Sequence, residues 1–312
     1  MQQSKTYRIP GLDGLRAIAI LLIVLGHLWQ QDFWSGTCPL SPFPIPVPGG
    51  ALSIFFVLSG FLAGYYSDVT SDAKSYYIKR ARKLFPAYYA YIFLVLIVYV
   101  LLGKLHEVLN LRLLFYLIPA GIVPFCQSQG ILPLVHLWFL TPIVMAYLAF
   151  PFVLNCKWGG QKTPICISAT LCVAFAFLKW ALYLSVGKET FAYRFFGASQ
   201  FDCIFGGLFL GLVLKNDELE LPKVLTHKTT SWILWILFIT SGFFQEFIPA
   251  PVRNEFFGLL AASLIISLIS ASAPFRFKAT FWQKLSNASY RIYVYHILAI
   301  ILLSELVSMV FR

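Results

Sequence analysis

The sequence predicts an all-α fold: a polytopic transmembrane helix bundle of about ten spans, forming a single domain over residues 1–312 with no soluble domain. Composition is the first ground. Of 312 residues, 59% are hydrophobic and only 12% are charged. Mean hydropathy is +0.76, whereas soluble domains carry roughly 25% charged residues. The second ground is a recurrence of ten apolar segments, each near the ~20 residues that cross a hydrocarbon core. Backbone polar groups in lipid must be satisfied internally, so such segments are helices. The third is that the polar stretches between them are too short to hold a soluble core.

The segments run 13–30, 50–67, 84–103, 109–126, 134–154, 164–186, 196–214, 230–248, 254–272 and 285–310. The first follows Lys5 and Arg8 and lacks a small-residue cleavage site, so it reads as an uncleaved span. The second starts on Gly49-Gly50, and the third starts near Pro86. The fourth is the weakest, because Arg112, Pro119, Gly121 and Pro124 interrupt it; it reads as a span or as a re-entrant or broken helix. The fifth carries His136, Trp138, Tyr147 and Pro151. The sixth and seventh bury Lys179 and Asp202, which pair with each other or line a cavity. The ninth ends before a short loop, and the tenth opens on a run of tyrosines.

Orientation follows Lys and Arg. Lys5, Arg8 and Arg16 precede or open the first span, the loop 31–49 has no Lys or Arg, and the loop 68–83 holds Lys74, Lys79, Arg80, Arg82 and Lys83. The N-terminus and the loop 68–83 are therefore expected in the cytoplasm. Later loops fit this bias better if 109–126 does not cross. The net charge of +11 is explained first by this topology and by anionic lipid, not by nucleic acid. Six cysteines, at 38, 126, 156, 166, 172 and 203, form no C-x-x-C pair. A zinc site and a redox motif therefore lack support, as does a bridge from Cys38. The five histidines show no metal-ligand spacing, so no metal is expected.

Five constellations could carry chemistry. The first is Gly11-Leu12-Asp13-Gly14-Leu15-Arg16 with His27 eleven positions on. An ionisable residue within a span is a functional candidate by default. Arg16 and His27 fall on nearly one helical face, roughly 16 Å apart. Asp13 reads as an N-cap or as a partner that holds Arg16. Arg16 reads as a snorkelling anchor or a functional cation. His27 reads as a packing histidine or as a neutral general base. The second is Gly49-Gly50 through Phe56, Ser59, Gly60 and Phe61, a tight packing surface or a chamber wall. The third is Lys79-Arg80-Ala81-Arg82-Lys83 before Pro86, a topology signal or a phosphate site. The fourth is His136-Leu137-Trp138-Phe139, an interfacial belt or part of a site. The fifth is Ser289-Tyr290-Arg291-Ile292-Tyr293-Val294-Tyr295-His296. There Tyr290, Tyr293 and His296 lie one turn apart and form a polar stripe that needs partners inside the bundle.

Taken together and in this order, these elements resemble acyltransferase family 3. These are multi-span membrane enzymes that O-acylate extracytoplasmic carbohydrate. The resemblance rests on the L-D-G-L-R start, the Arg16–His27 spacing and F-F-V-L-S-G-F. It rests also on the basic element before Pro86, the W-F-L span and S-Y-x-x-Y-x-x-H, and it covers nearly the whole chain.

It implies about ten spans, both termini in the cytoplasm and a place in a bacterial inner membrane. It implies His27 as catalytic histidine paired with Arg16, and Arg80 as the first arginine of R-x-x-R. The second arginine position is Lys83, which keeps the charge and loses the planar fork; Arg82 is the alternative contact. Asp13, Gly49, Gly50, Phe56, Ser59, Gly60, Trp138, Tyr293 and His296 are expected around the substrate chamber. A secreted esterase-like domain, common in the family, is expected to be absent.

The implied reaction is O-acetylation. An acyl-CoA donor, acetyl-CoA by expectation, docks through Arg80, Arg82, Lys83 and Arg16, and no cofactor is permanently bound. The acceptor is a carbohydrate hydroxyl in O-antigen lipopolysaccharide, exopolysaccharide, peptidoglycan or another envelope glycan. The competing reading is a lipid-linked sugar or small-molecule transporter or flippase, which also holds buried charges and broken helices. A non-catalytic scaffold of a polysaccharide assembly complex is a third. The sequence leaves the oligomeric state open.

Overall fold

The computed structural model describes residues 9–35, 48–66, 72–122, 132–156, 160, 162–216, 221, 223–244, 247–269 and 280–310. Lys5, Arg8, Cys38, Cys126 and much of the loop 31–49 lie outside the described residues. Helices make up nearly all of the rest, and the described residues include no strand. The elements are α1 (Pro10–Ser35), α2 (Pro48–Tyr65), α3 (Ala73–Leu101), α4 (Leu105–Val108) and α5 (Leu111–Leu117). A 3-10 stretch, η1 (Leu132–Phe139), leads into α6 (Leu140–Asn155). Then come α7 (Thr163–Ser185), α8 (Phe191–Phe196), α9 (Phe201–Lys215), α10 (Lys223–Thr226), α11 (Lys228–Phe244), α12 (Ala250–Ile269) and α13 (Thr280–Val310). Among the described residues, seven helical stretches are long and apolar enough to cross a membrane, and α2 adds a shorter apolar helix. The chain is a helical membrane bundle.

The centre is built on a close approach of α2 and α9. A Cβ added at Gly60 would lie 1.9 Å from the Ile204 carbonyl oxygen, and one at Gly64 2.5 Å from that of Leu208. On the other helix, Gly207 and Gly211 stand equally close to Val57 O and Phe61 O. Two G-x-x-x-G faces therefore meet backbone to backbone, with the helices running parallel. Lipid tails are as apolar as Leu, so such contacts hold membrane helices together through van der Waals packing. Around this pair, α1 packs on α2 and α13, and α12 packs on α2.

Two expected boundaries are corrected. Residues 73–83 are not a loop: Asp72 caps α3, its carboxylate accepting from the N–H groups of Lys74 and Ser75 at 3.0 and 3.1 Å. The basic element is thus helical, and Pro86 lies inside α3 rather than at its start. Asp13 is not an N-cap either, because α1 already starts at Pro10 and Asp13 sits inside its first turn.

Segment 109–126 forms no helical span of its own in the described residues. Gly103, at φ +69°, turns the chain back, and α4 and α5 are only short pieces. α5 folds along α3, where the hydroxyl of Tyr88 donates to Tyr116 O at 2.5 Å and that of Tyr89 to Leu117 O at 3.0 Å. Thr141 Oγ1 donates to Pro119 O at 2.9 Å. Side-chain hydroxyls thus satisfy carbonyls that a broken helix exposes, as non-helical backbone at membrane depth requires. Tyr91, farther along α3, donates to Pro133 O, so η1 starts beside the middle of α3. Over residues 109–122 the helix is broken, as the interrupted sequence predicts.

Candidate active site

α1 carries both residues of the first constellation on one continuous helix, so about 16 Å of helix separates Arg16 from His27. The two residues meet different surroundings. Arg16 lines a cavity of about 140 Å³ together with Lys83, Ser59, Phe139, Ser286 and Tyr293. It also lines a neighbouring space of about 340 Å³ with Asp13, Tyr66 and Asn287. The buried Asp13 accepts a hydrogen bond from Ser286 Oγ at 2.9 Å, which fastens the start of α1 to the start of α13.

His27 is half-buried at the far end of α1 and lines neither space. Its ring stands 5.1 Å from that of His296, centroid to centroid, and the His296 ring stands 5.1 Å from that of His136. Three of the five histidines thus form one row. η1 explains how His136 gets there. In a 3-10 helix side chains three apart eclipse, so Pro133, His136 and Phe139 share an edge. That edge faces the Tyr290, Tyr293, His296 stripe of α13. The two ladders interlock: the Tyr293 hydroxyl donates to His136 O, and the Tyr293 ring lies 5.0 Å from Phe139. Tyr290 donates to Leu84 O at 3.0 Å, tying the stripe to α3.

Hydrogen bonding fixes the tautomers of the two buried rings. A ring nitrogen facing a carbonyl oxygen must carry its proton. His296 Nδ1–H donates to Tyr293 O at 2.6 Å, and His136 Nε2–H donates to Val294 O at 3.0 Å. The opposite nitrogens, His296 Nε2 and His136 Nδ1, are buried without a hydrogen-bond partner among the described residues. Each offers a lone pair. Among the described residues, no group of three or more His, Cys, Asp or Glu is arranged to hold a metal ion.

The other residues singled out from the sequence divide as follows. Lys83 joins Arg16 at the first cavity. Arg80 instead lays its guanidinium over the rings of Tyr76 and Tyr147, at 5.2 and 4.8 Å. Arg82 is exposed and is not part of the cavity wall. It lies about 100° around the helix from Lys83, so it does not replace the missing second arginine there. Ser59 and Tyr293 line the cavity. Phe56 packs against Phe139 at 4.7 Å, behind the wall. Gly50 and Gly60 are packing positions rather than chamber wall: Gly60 meets α9, and a Cβ on Gly50 would strike the Phe257 ring. Gly49 lies in the first turn of α2. Trp138 lines neither space.

Ser286 and Asn287 were not anticipated as site residues. His136 and Phe139 were read as an interfacial belt or part of a site. A lone histidine in an apolar run was the one signal for His136, and the 3-10 geometry that aims it is not written in the periodicity.

A family model described as an acyltransferase domain matches residues 9–310. The chain belongs to acyltransferase family 3. Similar proteins include YrhL of Bacillus subtilis (strain 168), provisionally named a peptidoglycan O-acetyltransferase. It is 27% identical over 325 residues, covering 94% of this chain and 49% of YrhL. A provisionally named O-acetyltransferase of Staphylococcus aureus (strain COL) is 28% identical over 251 residues, covering 70% of this chain and 37% of that protein. The O-acetyltransferase OatA of Staphylococcus aureus (strain NCTC 8325 / PS 47) is 29% identical over 164 residues, covering 47% of this chain and 25% of OatA. The chain therefore spans half or less of the length of these relatives. No solved structure matches it.

Proposed function

We propose that this protein is a bacterial membrane O-acetyltransferase. In this reading it moves an acetyl group from cytoplasmic acetyl-CoA to a carbohydrate hydroxyl on the far side of the inner membrane. The observation that carries it is the arrangement along α1. Two cations, Arg16 and Lys83, share a cavity at one end. A row of three imidazoles stands at the other. Tyr293 belongs to both, as a wall of the cavity and as a ring packed beside His136 and His296. Phosphates of the donor bind at the cations, where charge-assisted hydrogen bonds are strongest. The N-terminus is then cytoplasmic, as the positive-inside bias of the early helices requires.

In the transfer, His27 takes the proton of the acceptor hydroxyl as its oxygen attacks the thioester carbonyl. The carbon–sulfur bond breaks, coenzyme A leaves as thiolate, and the proton passes from His27 to that sulfur. General-base help of this kind contributes ~10²–10⁴-fold. His296 Nε2 has the lone pair to receive the single N–H of neutral His27, which would hold the tautomer that points a lone pair at the acceptor. Transfer in two steps through an acetylated His27 uses the same residues.

The relatives support one choice of acceptor. YrhL is named for peptidoglycan, so a hydroxyl of the peptidoglycan glycan strand is the first acceptor to test, ahead of O-antigen or exopolysaccharide. NMR of purified envelope glycans from cells with and without the protein tests this directly. Acetyl signals that depend on the protein are expected on one glycan. Identical acetyl content in every glycan fraction would contradict the proposal.

A further inference from the structure

A second site lies away from the histidine row, between α7, α9 and α12. Lys179 is fully buried and its ammonium meets Asp202 Oδ2 at 2.5 Å, with Glu255 Oε1 at 3.6 Å. Trp180 Nε1 donates to the same Glu255 oxygen at 2.8 Å. One lysine thus stands against two carboxylates. Asp202 is only 5% exposed, yet its second oxygen, Oδ1, is buried without a hydrogen-bond partner among the described residues. A buried carboxylate oxygen without a donor is costly, so a hydrogen-bond donor brought to this one is favoured.

Both carboxylates line a crevice of about 410 Å³. Its remaining wall is apolar or small, and includes Val57, Gly206, Leu210, Leu259 and Ala262. Leu259 on the rim is 70% exposed, so the crevice opens sideways, toward the bilayer. The polar and apolar parts are ordered by depth. Asp202 is in the first turn of α9 and Glu255 is near the start of α12. Leu210 and Ala262 lie about two turns deeper on the same helices, roughly 11 Å at 1.5 Å per residue. The acidic end therefore lies near the starts of α9 and α12, and an apolar groove runs from it toward the middle of both helices.

We propose that this crevice binds a membrane amphiphile whose head carries a primary ammonium. The ammonium supplies the donor that Asp202 Oδ1 lacks and balances the second carboxylate, while an acyl chain fills the groove toward Ala262. A phosphate-only head brings charge of the wrong sign. A quaternary ammonium brings the right charge without an N–H. The proposal is independent of acyl transfer.

The test uses the full chain in nanodiscs of equimolar phosphatidylethanolamine and phosphatidylglycerol. Native mass spectrometry reads the lipid that stays bound on release. The wild type should retain phosphatidylethanolamine in about tenfold excess, the ratio that 1.4 kcal/mol of preference gives. Asp202→Asn should bring the ratio to parity. Ala262→Phe, which fills the groove without touching the ion cluster, should lower total bound lipid at least threefold, and it decides the matter if Asp202→Asn does not fold. Equal retention of the two lipids by the wild type would overturn the proposal. So would an unchanged ratio in Asp202→Asn or full lipid occupancy in Ala262→Phe.

Discussion

The rings of His27 and His296 stand 5.1 Å apart, one near the end of the first helix and one within the last. α1 and α13 are packed together along this seam, so the two ends of the chain assemble one site. His296 donates from Nδ1 to Tyr293 O, which leaves Nε2 as its available acceptor. In the proposed reaction His296 is a positioning residue for His27. His296→Ala should lower kcat about 10²-fold, as a misplaced reacting group does. The donor KM should stay within about twofold. His296→Gln, which can still accept a hydrogen bond, should recover part of the rate. A His296→Ala enzyme with unchanged kcat would remove the positioning role.

The basic element makes a second prediction, because the structure separates residues the sequence lists together. Lys83 and Arg82 are both exposed, but Lys83 lines a cavity with Arg16 and Arg82 does not. Lys83→Ala should raise the donor KM about tenfold or more, the loss of a hydrogen bond to a charged group being worth ~1.5–3 kcal/mol. Arg82→Ala should leave it nearly unchanged. Steady-state kinetics against acetyl-CoA with both variants makes the comparison, and equal effects would contradict the cavity assignment.

Helix packing gives a third. Gly60 lies where a Cβ would meet the Ile204 carbonyl at 1.9 Å, and backbone cannot yield as a side-chain tip can. Gly60→Ala should cost about 1–3 kcal/mol or more, the range of overpacked sites. Ser59→Ala, one position away on the cavity wall, should be close to neutral for stability. Thermal unfolding of both variants in detergent measures the difference.

A fourth concerns the buried ion pair. Removing one partner of a buried pair strands the other and costs about 3–5 kcal/mol. Lys179→Ala should therefore destabilise strongly, leaving Asp202 and Glu255 without their cation. Lys179→Met combined with Asp202→Leu should recover much of that loss. Unfolding titrations of the single and double variants form the cycle, and additive losses would show that the pair is not coupled.

Much of this was legible in the sequence because hydrocarbon imposes strict rules. Apolar length gave the helices, and the three-residue spacing of Tyr290, Tyr293 and His296 placed a polar stripe inside the bundle, where Tyr293 and His296 are buried. Lys179 and Asp202 were costly enough alone to be read as a pair or as cavity-lining, and they form a pair. What the sequence did not disclose depends on contacts between distant segments. A hydrogen-bond partner of Asp13, Ser286, is 273 positions away. The facing of Gly60 and Gly64 by Gly207 and Gly211 requires two helices to be seen together. The 3-10 stretch that swings His136 into the row is set by tertiary contacts, including the Tyr91 hydroxyl at Pro133 O. Helix starts were displaced for a simpler reason: Asp72 caps α3 a full three turns before the apolar run begins.

The central claim is that His27 accepts the proton in an acetyl transfer across this bundle. The most direct measurement is transfer of radiolabelled acetyl from acetyl-CoA to envelope glycan in membranes carrying the wild type or His27→Ala at matched levels of folded protein. Transfer by the wild type and a loss of at least about 10²-fold in the variant is the expected result. Substantial transfer by His27→Ala would contradict the account.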